Sequence, residues 1–216
     1  MPRALKINEI FFSIQGESTH AGRPCIFVRL SACPLRCTYC DTEYAFYEGK
    51  LRGFDEIFAE LKKFPTRLVE VTGGEPLAQP AVLDFMRELI AQGYELLLET
   101  SGAFPIDKVP PEVQIIMDIK TPDSGEHLKN HWDNIASLRK GRDEVKFVLG
   151  SKDDFAFACA IVEQHKLFEK ATVLASPVFG KVENLDLANW ILESGYPFRM
   201  QLQMHKYIWA PTARGV

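Results

Sequence analysis

The 216-residue sequence predicts an α/β fold: a partial, open TIM-like barrel of mostly parallel strands with abbreviated helices, in one domain spanning residues 1–216. Three observations carry that expectation. Short apolar runs alternate with amphipathic runs at helical spacing along the chain. The connections are long enough for right-handed crossovers, which parallel neighbours require. Polar motifs follow the apolar runs, at the strand ends that gather on one face of a parallel barrel. About seven strands fall short of eight-stranded closure, so the barrel is expected to be open.

Taken in order, residues 8–17 read as an edge hairpin ending in the polar turn Gln15-Gly16-Glu17, and residues 25–30 as a short strand. Residues 54–63 place Phe54, Ile57, Phe58 and Leu61 on one helical face. A strand at 67–71 precedes a helix at 80–92 that Gly93 stops. Strands follow at 95–98, 114–117, 144–149 and 171–174, with helical patterns at 126–138, 153–165 and 183–193 and a last strand at 200–203. Residues 102–113 lack a helical pattern, so a Pro-rich loop joins two strands there. No repeat, low-complexity segment or linker interrupts the series.

Composition narrows the function classes. Hydrophobic content of 46% and charged content of 25% are ordinary globular values. A net charge of −4 with a pI near 5.8 gives no electrostatic reason to expect nucleic acid or an anionic membrane as partner. The first ten residues carry Arg3, Lys6, Asn8 and Glu9, so no apolar signal core forms, and no later run is long enough to span a bilayer. Three of the five cysteines share one short run, while Cys25 and Cys159 lie in apolar runs. That is no disulfide framework; it reads as a reducing cytoplasm, where an iron–sulfur cluster survives.

The run is Cys33-Pro-Leu-Arg-Cys37-Thr-Tyr-Cys40, followed by Asp41-Thr42. Three thiolates at C-x3-C-x2-C spacing hold three irons of a [4Fe–4S] cluster and leave the fourth iron open for chemistry. The bland reading is a zinc knuckle or small apolar cysteines. Zinc wants a fourth ligand, and the closest histidine, His20, precedes the run without finger-like spacing. The adjacent glycines of Thr72-Gly-Gly-Glu-Pro76 let backbone approach a ligand and expose amides and carbonyls that suit an amino group, with Glu75 adding negative charge. Strand alternation puts Cys25, Phe27 and Arg29 on the barrel-interior face. A guanidinium there needs an anion: a structural partner such as Glu17, Glu75 or Glu99, or a substrate carboxylate held bidentately.

The cysteine spacing, with Tyr39 just before the last cysteine, resembles the radical S-adenosylmethionine (SAM) superfamily, which also carries Gly-Gly-Glu-Pro at the end of the next strand. Further motifs narrow the resemblance. Ile14-Gln-Gly-Glu-Ser18, Gly22-Arg-Pro24, Phe27-Val-Arg-Leu30, Thr72-Gly-Gly-Glu-Pro76, Glu99-Thr-Ser-Gly102 and His205-Lys206 are together similar to the 7-carboxy-7-deazaguanine synthases over nearly the whole chain. The resemblance implies a lyase acting on 6-carboxy-5,6,7,8-tetrahydropterin in the route to queuosine and other 7-deazapurines. It implies that a reduced cluster splits SAM, that the resulting radical takes hydrogen from C6, and that ring contraction then releases ammonia and SAM re-forms.

Carried over residue by residue, the resemblance implies that Cys33, Cys37 and Cys40 hold the cluster and that Thr42 binds Mg2+. Asp41 beside it is read as a residue that orients the loop. Tyr39, Gly74, the stretch Asp118, Ile119 and Lys120, and the stretch Ser176, Pro177, Val178 and Phe179 match the SAM-binding positions. Ile14, Gln15, Gly16, Arg29, Thr72 and the C-terminal Val216 match substrate contacts. A homodimer and an electron donor such as flavodoxin are implied as partners. Two other readings compete. A glycyl-radical activating enzyme would need a peptide groove and often extra cluster cysteines, which this sequence lacks. A non-catalytic iron–sulfur or zinc protein would have no SAM for the Gly-Gly-Glu-Pro turn to hold. Trp132, Trp190 and Trp209 read as core or interface residues, His127, His131 and His165 as surface, and Phe11 and Phe12 as core.

Overall fold

A computed structural model of the chain describes residues 3–216. Among the described residues nine strands form a single sheet: β1 (Ala4–Ile14), β2 (Pro24–Leu30), β3 (Lys50–Gly53), β4 (Leu68–Gly73), β5 (Glu95–Thr100), β6 (Gln114–Asp118), β7 (Glu144–Leu149), β8 (Thr172–Pro177) and β9 (Arg199–Met200). Their order is β3-β1-β2-β4-β5-β6-β7-β8-β9. From β2 through β4 to β9 every neighbouring pair is parallel, which makes the open barrel. β1 is antiparallel to both β2 and β3 and extends one edge.

The helices α1 (Phe54–Leu61), α2 (Val82–Ala91), α3 (Lys152–His165) and α4 (Asn184–Ser194) accompany the sheet, and a single turn, α5 (His205–Ile208), follows β9. α1 buries Phe54, Ile57, Phe58 and Leu61, the four positions that its helical spacing aligns. Phe54 and Phe58 pack on Phe85 of α2, with ring centroids 5.3 and 5.5 Å apart. Ile26, Val28 and Leu30 of β2 point into this helix-side core. Alternation turns Cys25, Phe27 and Arg29 to the barrel interior, as the sequence predicts. There Cys25 and Phe27 meet Leu68, Leu97 and Ile116 in a second, smaller cluster.

Three expectations need correction. Residues 126–138 form two short 3-10 stretches, His127–Lys129 and Trp132–Ser137, instead of a helix. Asn130 bonds both backbone groups of Lys120, and Asn134 bonds the backbone of Gly102, Phe104 and Ile106. These side-chain-to-backbone bonds tie the segment to the loops after β5 and β6 and outcompete a helical ladder. The last strand is two residues, at 199–200 rather than 200–203. The Gln201 amide still donates to the Ala175 carbonyl of β8 at 2.9 Å, and beyond it the side chains of Gln201 and Gln203 are engaged by Ser18 and Glu17. The predicted edge hairpin at 8–17 is a long strand whose following loop, residues 15–23, passes beneath the barrel. That loop meets the N-terminal strand ends: Arg23 donates to Glu95 at 2.8 and 2.7 Å, His20 bonds Gln114 at 2.9 Å, and the Thr19 amide donates to Glu144 at 3.1 Å. It forms a floor.

Asp154 fixes the opposite end. Fully buried in the first turn of α3, it accepts from Thr121 Oγ1 at 2.8 Å and from the Asp123 and Gly150 amides at 3.0 and 2.9 Å. It thereby joins the loops after β6 and β7. Asp154→Ala takes the acceptor from the Asp123 and Gly150 amides, while the Thr121 hydroxyl keeps the Val148 carbonyl at 3.2 Å, and we expect a loss of about 2 kcal/mol. Urea unfolding checks this; a loss below about 1 kcal/mol contradicts the tie.

Candidate active site

The interior changes character partway up. Above the apolar layer of Phe27, Leu97 and Ile116 lie Arg29, Thr72, Glu99, Asp118 and Lys146, one from each of five neighbouring strands or strand ends. They line a cavity of about 490 Å3 that opens toward the cysteine loop. That volume suits a small molecule together with part of a cofactor.

Among the residues expected at the site, Cys33, Cys37, Cys40, Tyr39, Thr42, Gly74, Asp118, Lys120, Val178, Phe179, Ile14, Gln15, Gly16, Arg29, Thr72 and Val216 all line the cavity. Ile119, Ser176 and Pro177 do not. Ile119 packs in the helix-side core, because one step along β6 from Asp118 reverses the face. Ser176 and Pro177 end β8 buried, and the Ser176 hydroxyl lacks a hydrogen-bond partner among the described residues. Glu75 also departs from its expected role as a negative charge for a ligand. It is fully buried, accepting from the Thr100 hydroxyl, the Ser101 amide and hydroxyl, and the Leu77 amide at 2.9 Å. It ties the Gly-Gly turn to the turn after β5.

Gly74 itself is dictated by packing. A Cβ there would run into the Ala32 carbonyl and meet Cys33 Cβ at 3.0 Å. The turn therefore presses directly on the cysteine loop, with the Gly74 and Glu75 amides donating to Leu30 and Ala32 carbonyls at 3.0 and 2.8 Å.

Arg29 pairs with Glu9 of β1, not with any of the three carboxylates weighed from sequence; its Nε donates to Glu9 Oε1 at 2.8 Å. Tyr44 donates to the same oxygen at 2.9 Å. The two terminal nitrogens of the guanidinium make no hydrogen bond among the described residues and belong to the cavity wall. A fork with both prongs free is the geometry that takes a carboxylate bidentately.

Four residues were not singled out from the sequence: Lys146, Glu70 and Gln203, which line the cavity, and Glu9, which pairs with Arg29. Lys146 Nζ contacts Glu17 at 2.9 Å and Asp118 at 3.4 Å and also pairs with Glu99. Burial opposes its charge, but Asp118, Glu17 and Glu99 more than compensate and raise its pKa well above that of a free lysine. Burial likewise pushes Glu17 up, yet Lys146 outweighs it and leaves Glu17 below the usual range. Glu70, one pleat below Thr72, has no cation in contact among the described residues and accepts from the side-chain amide of Gln15. Burial, helped by the nearby Glu99 charge, pushes its carboxyl well above the usual range. The signal for Lys146 and Glu70 was a charged residue inside an apolar strand buried on both faces. Phe11, read as core, lines the cavity, stacked on Phe27 at 4.8 Å.

The chemistry of the donor set fits a cluster and a SAM-sized ligand. Among the described residues no three His, Cys, Asp or Glu side chains converge as the shell of a single ion requires. The three cysteines of one short loop all line the cavity, the arrangement that ligands to three separate irons need. Burial pushes the Cys33 and Cys37 thiols up, so binding as thiolates releases protons. Asp118, which lines the same cavity, has in Oδ1 a buried oxygen with no hydrogen bond among the described residues, only the 3.4 Å ion pair to Lys146, which leaves polar capacity for a ligand.

Comparison with known proteins agrees with this geometry. The profile of the Radical SAM superfamily matches residues 28–123. A 7-carboxy-7-deazaguanine synthase of Koribacter versatilis is 46% identical, covering 98% of this chain and 100% of its own length. One from Chlorobaculum tepidum is 45% identical over 98% of this chain and 97% of its own length. The crystal structure of QueE from Escherichia coli superposes with a TM-score of 0.73 at 20% identity, covering 94% of this chain and 95% of that one, which supports the fold.

The raised pKa of Glu70 has a stability consequence. Its proton-bound form is favoured in the folded chain, so its contribution is fully present below the unfolded carboxyl pKa, about 4.3, and is lost as pH rises toward the folded value. Glu70→Gln has no such proton to lose. The variant is expected to gain on the parent as pH rises from 5 to 8, read as the difference in urea midpoints; a pH-independent difference rules this out.

Proposed function

Since the chain belongs to the 7-carboxy-7-deazaguanine synthases, radical SAM lyases of the queuosine pathway that depend on SAM and a [4Fe–4S] cluster, we propose that it converts 6-carboxy-5,6,7,8-tetrahydropterin to 7-carboxy-7-deazaguanine and ammonia with the help of Mg2+. Substrate and product differ by one ammonia, so no net oxidant is required. The observation that carries the reading is the free fork of Arg29 facing a chamber that also receives the cysteine loop and the Gly-Gly turn.

In this reading Cys33, Cys37 and Cys40 hold the cluster. When bound, cluster and SAM supply the one-electron chemistry that opens a C–H bond. Gly74 gives the SAM amino group access to backbone carbonyls. Asp118, Lys120, Tyr39, Val178 and Phe179 offer side chains from the cavity wall, while Ile119, Ser176 and Pro177 stand behind it and hold the two SAM-binding stretches in place. Arg29 clamps the substrate carboxylate. Thr72 contacts the substrate with a hydroxyl oriented by donation to Glu99 at 2.9 Å. The backbone of Ile14, Gln15 and Gly16 reads the pterin edge from the floor, and Val216 closes the far wall. Thr42 gives Mg2+ a neutral oxygen, which suits an ion that keeps its waters and leans on substrate oxygens. Asp41, 2.8 Å from Lys206, orients that loop.

The glycyl-radical activating alternative needs a groove for a peptide loop. Here Gln203, His205, Lys206, Pro211, Ala213, Gly215 and Val216 complete the cavity wall, which favours a small substrate. The same reading has the chain act as a single domain and homodimer in the cytoplasm, reduced by a donor such as flavodoxin.

Anaerobic reconstitution with iron and sulfide, then reduction with SAM, Mg2+ and the tetrahydropterin, should yield 7-carboxy-7-deazaguanine and ammonia by mass spectrometry, and Cys37→Ala should yield neither. Formation of 5′-deoxyadenosine alone points instead to the activating enzyme. Arg29→Lys keeps the charge but loses the fork, so KM for the pterin is expected to rise at least about tenfold while SAM affinity holds. An unchanged KM removes Arg29 from the substrate site. Thr42→Val should raise the Mg2+ concentration needed for half-maximal turnover by about tenfold, with iron content unaltered; equal Mg2+ dependence excludes Thr42 as ligand.

A further inference from the structure

The solvent side of the cysteine loop differs from the rest of the surface. Leu128 and Tyr47 are 89% and 74% exposed, and cations stand between and beside them. Lys129 donates to the Pro34 carbonyl at 3.4 Å. Arg36 donates to the Cys33 carbonyl at 2.8 Å and stacks its guanidinium 4.2 Å from the Phe46 centroid and 5.7 Å from that of Tyr47. Lys6 donates to the Tyr47 carbonyl at 3.2 Å. Of the carboxylates nearby, Glu126 is turned inward onto the Arg36 amide and Lys129, and Glu48 pairs with Arg214; Glu43 sits on the short helix that carries Phe46. Lys6 and Arg36 have no ion-pair partner among the described residues, while Lys129 is shared with Glu126 at 2.8 Å, so exposed apolar side chains here stand beside two unpaired cations.

This face touches the cysteine loop directly, through the Cys33 and Pro34 carbonyls. Resting on the cluster assignment above, the chemistry needs one electron from outside the chamber, because SAM and substrate fill the chamber itself. We propose that the face formed by Lys6, Pro34, Arg36, Tyr47, Leu128 and Lys129 docks an acidic one-electron carrier protein. One electron leaves the carrier, oxidising it by one, and reduces the cluster by one; no bond forms or breaks. Small transient interfaces of this kind bury under about 1,200 Å2, and charge complementarity governs their association rate. Exposed Tyr and Leu supply the contact, and the cations supply the steering.

Reduced flavodoxin, an acidic flavoprotein, is the probe, and dithionite is the small-molecule control. Two readings are taken: bleaching of the cluster's visible absorbance on anaerobic mixing, and carrier binding to the cluster-loaded chain, followed by flavin fluorescence at low and high salt. The double variant Leu128→Asp/Lys129→Glu is expected to accept electrons from flavodoxin at least about tenfold more slowly, to bind it correspondingly less, and to react with dithionite at the parent rate. Parent binding should weaken as salt rises. If the double variant fails to keep its cluster, Lys6→Glu, which touches no cysteine carbonyl, is put through the same two measurements. Reduction by flavodoxin at the parent rate in a variant that keeps its cluster overturns the proposal. A chain that makes no deazaguanine yet shows patch-dependent reduction supports it and removes only the substrate assignment.

Discussion

Lys146 reaches from β7 into a barrel interior where three carboxylates, from the floor loop, β5 and β6, meet its ammonium. An uncompensated charge at that depth is expensive, and losing one partner of such a network costs several kcal/mol. The four groups therefore constrain one another's positions more tightly than the backbone around them does. Glu17 is drawn up from the floor, Glu99 is oriented so that its second oxygen takes the Thr72 hydroxyl, and Asp118 is shared with Lys120. Glu17, Glu99, Asp118 and, through Glu99, Thr72 all trace their positions back to this one cation. Glu70, with no cation in contact among the described residues, shows the alternative: burial beside the Glu99 charge pushes its carboxyl well above the usual range.

The opposite wall obeys a different constraint, the approach of two backbones. The Gly-Gly turn and the cysteine loop lie so close that Gly74 admits no side chain, and Glu75 holds the turn from behind through the Thr100 and Ser101 groups. The residues that line the chamber and the residues that hold the lining in place are thus distinct sets. Glu75 looked like the former in the sequence and belongs to the latter.

Much of the architecture was legible because period and punctuation agree. The spacing of Phe54, Ile57, Phe58 and Leu61 is that of their helix, and the alternation in β2 correctly sends Arg29 inward. The cysteine run announces its chemistry by spacing alone. What was not legible depends on partners far away in sequence. Nothing near Arg29 points to Glu9, since their pairing follows from the antiparallel register of β1 and β2. The pattern at 126–138 is amphipathic enough for a helix, but Asn130 and Asn134 spend their amides on distant backbone. Lys146 was passed over because a lysine in a strand reads as solvent-facing unless the strand is known to be central.

The floor loop has a consequence in time rather than space. Its bonds join Ser18 to Gln201, Glu17 to Gln201 and Gln203, and Glu17 to Lys146, closing loops of well over a hundred residues. Contacts of that sequence separation form late, after local elements have reduced the entropy of closure. A chain emerging from the ribosome can make β1, β2 and the cysteine loop early, yet the chamber has no finished base until the segment after β9 has been synthesised. The chamber is therefore completed late in synthesis, when the residues after β9 supply both the partners of the floor loop and the last part of the wall.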